Sequence, residues 1–286
     1  MRPTVVKIEP DMLPEILNRL LKSKCTSEIA TTNEYERFRL KCNGGTVVGY
    51  TSGKIVATGQ SCEALLQGTI REMDFGDAAH GLTIGSDEAG KGEWLGPLTV
   101  SAVGLTPKQA TDLRALGVMD SKDLSSSRIA DLAQEIEDHC EAMYTVLISP
   151  PTFNERFEEL RREGKNLNDL LAWAHAKAVS EVYDLLRPSE DSEVRVVIDE
   201  FSRLKTKIRL HRVLDLDSLD LVQKPRAEDV ISVAAASIIA KDARESWIES
   251  ASNRLGVDLR LLNPDEAHRR DDLNQFAKTS YLRNRN

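Results

Sequence analysis

The chain has 286 residues, 41% of them hydrophobic, and its 46 acidic and 38 basic side chains give a net charge of −8. The length suits one large domain or two unequal ones, and the acid excess excludes a generic basic nucleic-acid coat protein while leaving room for a local basic site. No apolar run approaches the roughly 20 residues of a membrane span, the N-terminal stretch lacks a secretory signal core, and Cys25, Cys42, Cys62 and Cys140 form no CxxC pair, so a cytoplasmic protein with reduced thiols is expected.

Thr4–Ile8 is a short apolar strand candidate, and Leu13, Ile16, Leu17, Leu20 and Leu21 recur at helical spacing over Asp11–Leu21. Tyr35–Cys42 alternates strictly, with Phe38, Leu40 and Cys42 on one face and Arg37, Arg39 and Lys41 on the other. Asn43-Gly44-Gly45 turns into a second strand, Thr46–Tyr50, and Thr51-Ser52-Gly53 turns again into Lys54–Ala57, before a helix over Cys62–Met73. Helix, antiparallel meander, helix predicts a small α+β domain over 1–75, followed by a polar linker, 76–81.

From residue 82 to 286 the pattern is α/β. Strands are expected at Leu82–Gly85, Leu98–Leu105, Met143–Ile148 and Val194–Ile198, and helices at Lys108–Leu116, Ser127–His139, Pro151–Arg162, Leu167–Leu186 and Ala227–Ile248. Val194–Ile198 is almost wholly apolar between flanking acids, as a buried central strand is. Charge divides along the same line. Residues 1–80 hold ten basic and ten acidic groups, residues 268–286 carry +3, and the middle carries −11. The Arg37, Arg39, Lys41 face suits phosphate tracking, and it equally suits a solvated strand face. The C-terminal cations are a second candidate grip.

The sharpest local feature is Gly85-Ser-Asp-Glu-Ala-Gly-Lys-Gly-Glu-Trp-Leu-Gly-Pro97. Asp87 and Glu88 follow a short apolar strand, where neighbours point to opposite faces, so Glu88 shares a site with Asp87 only if the chain bends. Gly85, Gly90, Gly92 and Gly96 would allow the bend and a close ligand approach. Asp199 ends the buried strand, where α/β proteins bind ligands, although a helix N-cap is an equal reading. Glu228 sits in the first turn of the last long helix, with Asp229 competing for its role, and macrodipole compensation is the alternative for either. Carboxylates without a histidine or cysteine cluster suit hard cations, Mg2+ or Mn2+. One or two such ions would relieve the repulsion among converging acids, and the matching chemistry is two-metal phosphodiester hydrolysis. His175, in an apolar helical run, reads as a satisfied structural histidine, and Trp94 either stacks on a sugar or packs.

Four blocks in order carry a family resemblance. Asp87-Glu-Ala-Gly-Lys-Gly-Glu-Trp-Leu-Gly-Pro97 resembles the DEAGRG…GP signature of type 2 ribonucleases H, and Asp120-Ser-Lys-Asp-Leu124 resembles their DSK-x-L motif. Val196–Phe201 and Ala227–Lys241 resemble the strand and helix that carry the third and fourth acids. The subtype resembled is ribonuclease HIII. Tyr50-Thr-Ser-Gly-Lys-Ile-Val-Ala-Thr-Gly59 is similar to its YxSGKxxxxG hairpin, Gly164–His175 to its N-x-N…H helix start, and residues 1–75 suit its N-terminal domain of TATA-binding-protein-like fold. Two stretches depart from the pattern: Glu228 stands one residue nearer Ser237 than usual, and Asn263–Asn286 matches only around Ala277–Tyr281.

The resemblance implies a ribonuclease H-like mixed sheet flanked by helices, and a monomer that binds RNA–DNA hybrid and cleaves its RNA strand to leave 3′-hydroxyl and 5′-phosphate ends. It implies two divalent cations, Mg2+ or Mn2+, on Asp87, Glu88, Asp199 and Glu228. Substrate contacts are implied at Ala89, Gly90, Lys91 and Gly92, with the backbone amides of Glu88, Ala89, Gly90 and Lys91 reading the 2′-hydroxyl, at Ser121 and Lys122 on phosphates, at Asn166 and Asn168, and at the Arg37, Arg39, Lys41 face. Ser121, Asn166 and Asn168 equally suit turn or helix caps. The rival readings are ribonuclease HII-type cutting at junctions or single embedded ribonucleotides, and a non-catalytic hybrid binder.

Overall fold

The computed structural model describes residues 3–73, 75, 81–119, 124–189, 192–199, 203–210, 219–224 and 227–282, leaving aside the side chains of 203–205, 219 and 228. The alternating segments near the N-terminus pair as an antiparallel sheet of order β1-β5-β4-β3-β2, built from β1 (Thr4–Lys7), β2 (Ser27–Glu28), β3 (Glu36–Cys42), β4 (Gly45–Tyr50) and β5 (Lys54–Thr58). Period-two alternation gives this sheet one apolar face. The apolar stripes of α1 (Leu13–Leu21) and α2 (Gln60–Arg71) cover it, burying Ile16, Leu20, Leu66 and Ile70 with Val6, Phe38, Leu40 and Ile55.

This first compact unit is Met1–Ala79 together with Pro107–Met119. A division at residue 75, as the sequence suggests, leaves α3 (Pro107–Leu116) in the larger part. Ala115 instead joins the first unit's core, and Arg71 pairs with Asp112 at 3.1 Å. Such long-range packing leaves no trace in local composition.

The second unit, His80–Thr106 with Asp120–Asn286, is built on a mixed sheet of order β10-β9-β6-β7-β8. β6 (Leu82–Ala89), β7 (Leu98–Leu105) and β8 (Ala142–Ile148) form an antiparallel meander, while β9 (Val194–Asp199) runs parallel to β6 and β10 (Leu219–Lys224) parallel to β9. α5 (Pro150–Arg162) and α6 (Leu167–Leu186) cover one face, burying Phe153, Leu171, Ala174 and Val179 against Ile84, Val100, Val196 and Ile198. α8 (Ile231–Leu255) crosses the other face, with α4 (Ser126–His139) packed on it; α7 (Arg203–Leu210) lies beside α6, and α9 (Pro264–His268) follows α8 in the chain.

Two boundaries matter for the site. β6 runs on to Ala89, so Asp87 and Glu88 lie inside a strand that the sequence ends at Gly85. The long helix begins at Ile231, and Glu228 belongs to a separate 3-10 turn, Ala227–Asp229, rather than to the helix's first turn.

The C-terminal segment returns to the glycine-rich loop. Leu95 bridges Ala277, the Gly96 N–H donates to Phe276 O, and the Lys278 N–H donates to Trp94 O. Lys278 is wholly buried, with its ammonium on the Gly96 and Pro97 carbonyls. Arg270 holds Asp272 through two hydrogen bonds, 2.8 and 2.7 Å. Lys278 is thereby taken up by the fold and Arg270 is paired with Asp272, while Arg269 is exposed; Arg283 and Arg285 lie outside the described residues. Among the described residues, no helix is long and apolar enough to cross a membrane.

Candidate active site

Alternation distributes the side chains of β6. Ile84 joins the core beneath α6, Gly85 faces α8, Ser86 meets His175 of α6, Asp87 meets Ser237 of α8, and Glu88 again meets His175. The ladder with β7 continues to Ala89↔Thr99, so the bend expected from the sequence is absent. Asp87 and Glu88 leave opposite faces of the strand, yet the Glu88 charge is still felt at Asp87, so a straight strand keeps the two acids within one electrostatic site. Gly85 serves neither a bend nor a ligand. A Cβ there would lie 2.2 Å from Ser232 C and from Val233 N, so the glycine makes room for the α8 backbone.

β6 and β9 pair in parallel as far as Ser86↔Ile198. The next step of that register sets Asp87 beside Asp199, on strands about 4.8 Å apart and on the same face. Lys224 of β10 stands opposite Asp199 in turn. Asp199 Oδ1 accepts a hydrogen bond from the Ala227 N–H at 3.3 Å, which ties it to the turn carrying Glu228. Two strand ends and one turn therefore gather Asp87, Glu88, Asp199 and the backbone of Glu228 at the carboxyl edge of the sheet, where α/β folds bind ligands. Asp229 is exposed. Among the described residues, no three acidic, histidine or cysteine side chains close into a metal cluster, and the Glu228 side chain lies outside them.

The two strand acids have opposite electrostatics. Burial and the neighbouring Glu88 charge push Asp87 up to about 7, against the Ser237 hydrogen bond. Burial also opposes ionisation of Glu88, but the His175 hydrogen bond and charge and the Lys91 ammonium prevail and hold it down at about 2. An all-oxygen donor set with adjacent, poorly hydrated carboxylates is chemically matched to a hard divalent cation, which removes the repulsion that raises Asp87.

Around the acids, Gly90 and Gly92 have φ of +85° and +76°. A Cβ at Gly92 would meet nothing within 4 Å, so that turn is open to an approaching ligand. Ala89 is half-buried and Lys91 is exposed, with Nζ 3.0 Å from Glu88 Oε1. Trp94 packs into the cluster around Ile248 and Phe276. Asn166 caps α6: its Oδ1 accepts from the Asn168 N–H and its own N–H donates to Asp169 Oδ2, both at 3.0 Å. Asn168 is half-buried in the first turn, and Ser121 and Lys122 lie outside the described residues.

In the first unit, Arg37 and Lys41 are exposed on the sheet face turned away from the helices. Arg39 is held by Glu36 through hydrogen bonds of 2.9 and 2.6 Å, and Glu36 also accepts from Thr32 and Asn33. Sequence reasoning missed two further cations on that face. Lys7 and Lys54 are directly opposite in the β1–β5 register, an unfavourable like-charge pair that only the strand pairing reveals. It also missed Ser86, Ser237 and Lys224 around the acids; polar residues in the otherwise apolar runs of β6 and α8 were the available signal for the serines.

Residues 84–264 match the ribonuclease HII family. Ribonuclease HIII of Protochlamydia amoebophila (strain UWE25) is 36% identical over 240 residues, 80% of this chain and 75% of the relative. The chain belongs to the ribonuclease HIII family. Ribonuclease HIII of Chlamydia pneumoniae is 33% identical over 234 residues, 78% of this chain and 74% of the relative. The crystal structure of Bst ribonuclease HIII in complex with Mn2+ superposes with a TM-score of 0.62 at 23% identity, covering 98% of this chain and 97% of that one. The likeness spans both units, so the ribonuclease H-like fold with its small N-terminal α+β unit is the family fold.

Proposed function

We propose that this chain is an endoribonuclease that hydrolyses the RNA strand of RNA–DNA hybrids, with Asp87, Glu88, Asp199 and Glu228 holding two divalent cations, Mg2+ or Mn2+. The observation that carries the reading is the β6–β9 register, which sets Asp87 beside Asp199 and next to the turn bearing Glu228. The cations, when bound, supply an activated water and counter-charge for the departing 3′ oxygen. Ser237 holds Asp87 toward the α8 face, and Lys91 neutralises the exposed side of Glu88. Beside the open turn at Gly92, the amides of Ala89 and Lys91 would read the 2′-hydroxyl, the group that separates RNA from DNA. Exposure of Asp229 favours Glu228 as the fourth acid. Four free cysteines suit a reducing cytoplasm, where we take the chain to act as a monomer.

The test offers a uniform hybrid and a duplex with one embedded ribonucleotide, in Mg2+ and in Mn2+. Cleavage of the hybrid to 3′-hydroxyl and 5′-phosphate products is expected. No cleavage with either metal would overturn the proposal, and cutting of the single ribonucleotide alone would point to the HII-type reaction.

The outer sheet face of the first unit is proposed to grip the hybrid through Arg37 and Lys41, joined by Lys7 and Lys54. Arg39 contributes less, because Glu36 already offsets its charge. Neutralising Arg37 and Lys41 together is expected to weaken binding and to flatten the log Kd against log salt slope by about 0.9 for each phosphate that is no longer neutralised. Arg39→Gln should change that slope less, and equal slopes across all the variants would remove this face from the interface.

A further inference from the structure

Behind Glu88 lies a wholly buried imidazole. His175, on α6, places Nε2 3.1 Å from Glu88 Oε2 and Nδ1 2.8 Å from Ser86 Oγ. Ser86 has a single hydroxyl proton and donates it to Ser101 O at 2.8 Å. Its oxygen therefore accepts from His175 Nδ1–H, and because an ionised Glu88 carboxylate can only accept, Nε2 carries an N–H that donates to Oε2, so both ring nitrogens donate. The imidazole is pinned at both nitrogens, and through it one oxygen of Glu88 is tied to the β7 backbone. The other oxygen, Oε1, meets an ammonium that reaches in from solvent, on a Lys91 side chain that is 40% exposed. One oxygen is anchored and the other faces an exchangeable partner, the arrangement expected of a carboxylate ligand oriented from behind.

We propose that His175, braced by Ser86, is a positioning residue that sets the orientation in which Glu88 ligates the divalent cation. This rests on the metal-site reading above. The pairing needs two polar residues in otherwise apolar segments. Ser86 lies on the face that Ile84 gives to the core, and His175 lies among Leu171, Ala174, Ala178 and Val179. A leucine at 175 would satisfy that packing, so packing alone does not call for an imidazole.

The test is Mn2+ binding to the full chain without substrate, measured by titration calorimetry, with thermal melts to verify folding. His175→Leu is expected to weaken Mn2+ binding about 10–100-fold. His175→Gln, whose amide N–H reaches the Nε2 position, should recover much of that loss, and Ser86→Ala should shift binding in the same direction by less. Folded His175→Leu with wild-type affinity, or glutamine no better than leucine, overturns the positioning role. Should the leucine variant not fold, wild-type affinity in both His175→Gln and Ser86→Ala overturns it. Asp87→Asn separates the two layers. If the wild type binds no Mn2+, or Asp87→Asn binds it as tightly as the wild type, the metal site itself falls. If Asp87→Asn abolishes binding and the His175 and Ser86 variants do not change it, only the positioning role falls.

Discussion

Asp87→Asn is expected to abolish cleavage of a uniform RNA–DNA hybrid while leaving hybrid affinity and folding intact. Asparagine keeps the shape of the side chain and its contact with Ser237, and removes the charge that faces Glu88 and Asp199. The substitution also has a signature in stability. Asp87 is pushed from 3.8 to about 7 in the fold, so the folded chain binds the extra proton. The stability from this group is fully present below about pH 4 and is lost as pH rises through about 7. Without metal at pH 8, the asparagine variant should therefore melt at or above the wild-type midpoint. Adding Mn2+ should then raise the wild-type midpoint, because binding to the folded state alone stabilises it, and leave the variant unmoved. Glu228→Gln should lose activity in the same way, whereas Asp229→Asn at its exposed position should not. Retained activity in Asp87→Asn would refute the carboxylate site, and an active Glu228→Gln beside an inactive Asp229→Asn would exchange the fourth acid.

Local pattern made the framework legible. The strand Leu98–Leu105 and the helix Leu167–Leu186 have the ends that their hydrophobic pattern predicts, because each is bounded by proline, asparagine or glycine chemistry that acts over a few residues. The order of the acid-bearing blocks also stands in the sequence, since Asp87, Glu88 and Asp199 follow apolar runs and Glu228 precedes one. Contacts between distant segments were not legible. Ser86 and His175 are 89 positions apart, and nothing local marks them as partners. The Glu36–Arg39 pair defeats simple alternation, because the β3–β4 register shifts between Glu36 and Phe38 and lets residues three apart meet. β10 escaped notice because Leu219–Lys224 mixes apolar with polar and charged residues over only six positions, yet it is the strand that puts Lys224 opposite Asp199.

Gly85→Ala is expected to damage the second unit severely. The added carbon would sit 2.2 Å from two α8 backbone atoms and 2.6 Å from the Ser232 carbonyl oxygen. Backbone cannot rotate away as a side-chain tip does, so α8 must lift off β6. Overpacking of this kind costs about 3 kcal/mol or more, seen as a fall in the melting midpoint on the order of 6–12 °C. The same substitution at Gly68, in α2 with nothing within 4 Å of the new Cβ, should instead stabilise by about 0.5–1 kcal/mol. The functional loss at Gly85 should exceed the stability loss. α8 carries Ser237, which holds Asp87, and follows directly on the turn that holds Glu228. Lifting its start therefore separates both from the β6 and β9 strand ends. Gly85→Ala should thus remain inactive at temperatures where it is still folded, and Mn2+ should bind it weakly. An alanine variant with wild-type midpoint and activity would show that α8 can slide along β6 without moving these acids, and that the close crossing at Gly85 is not what assembles the site.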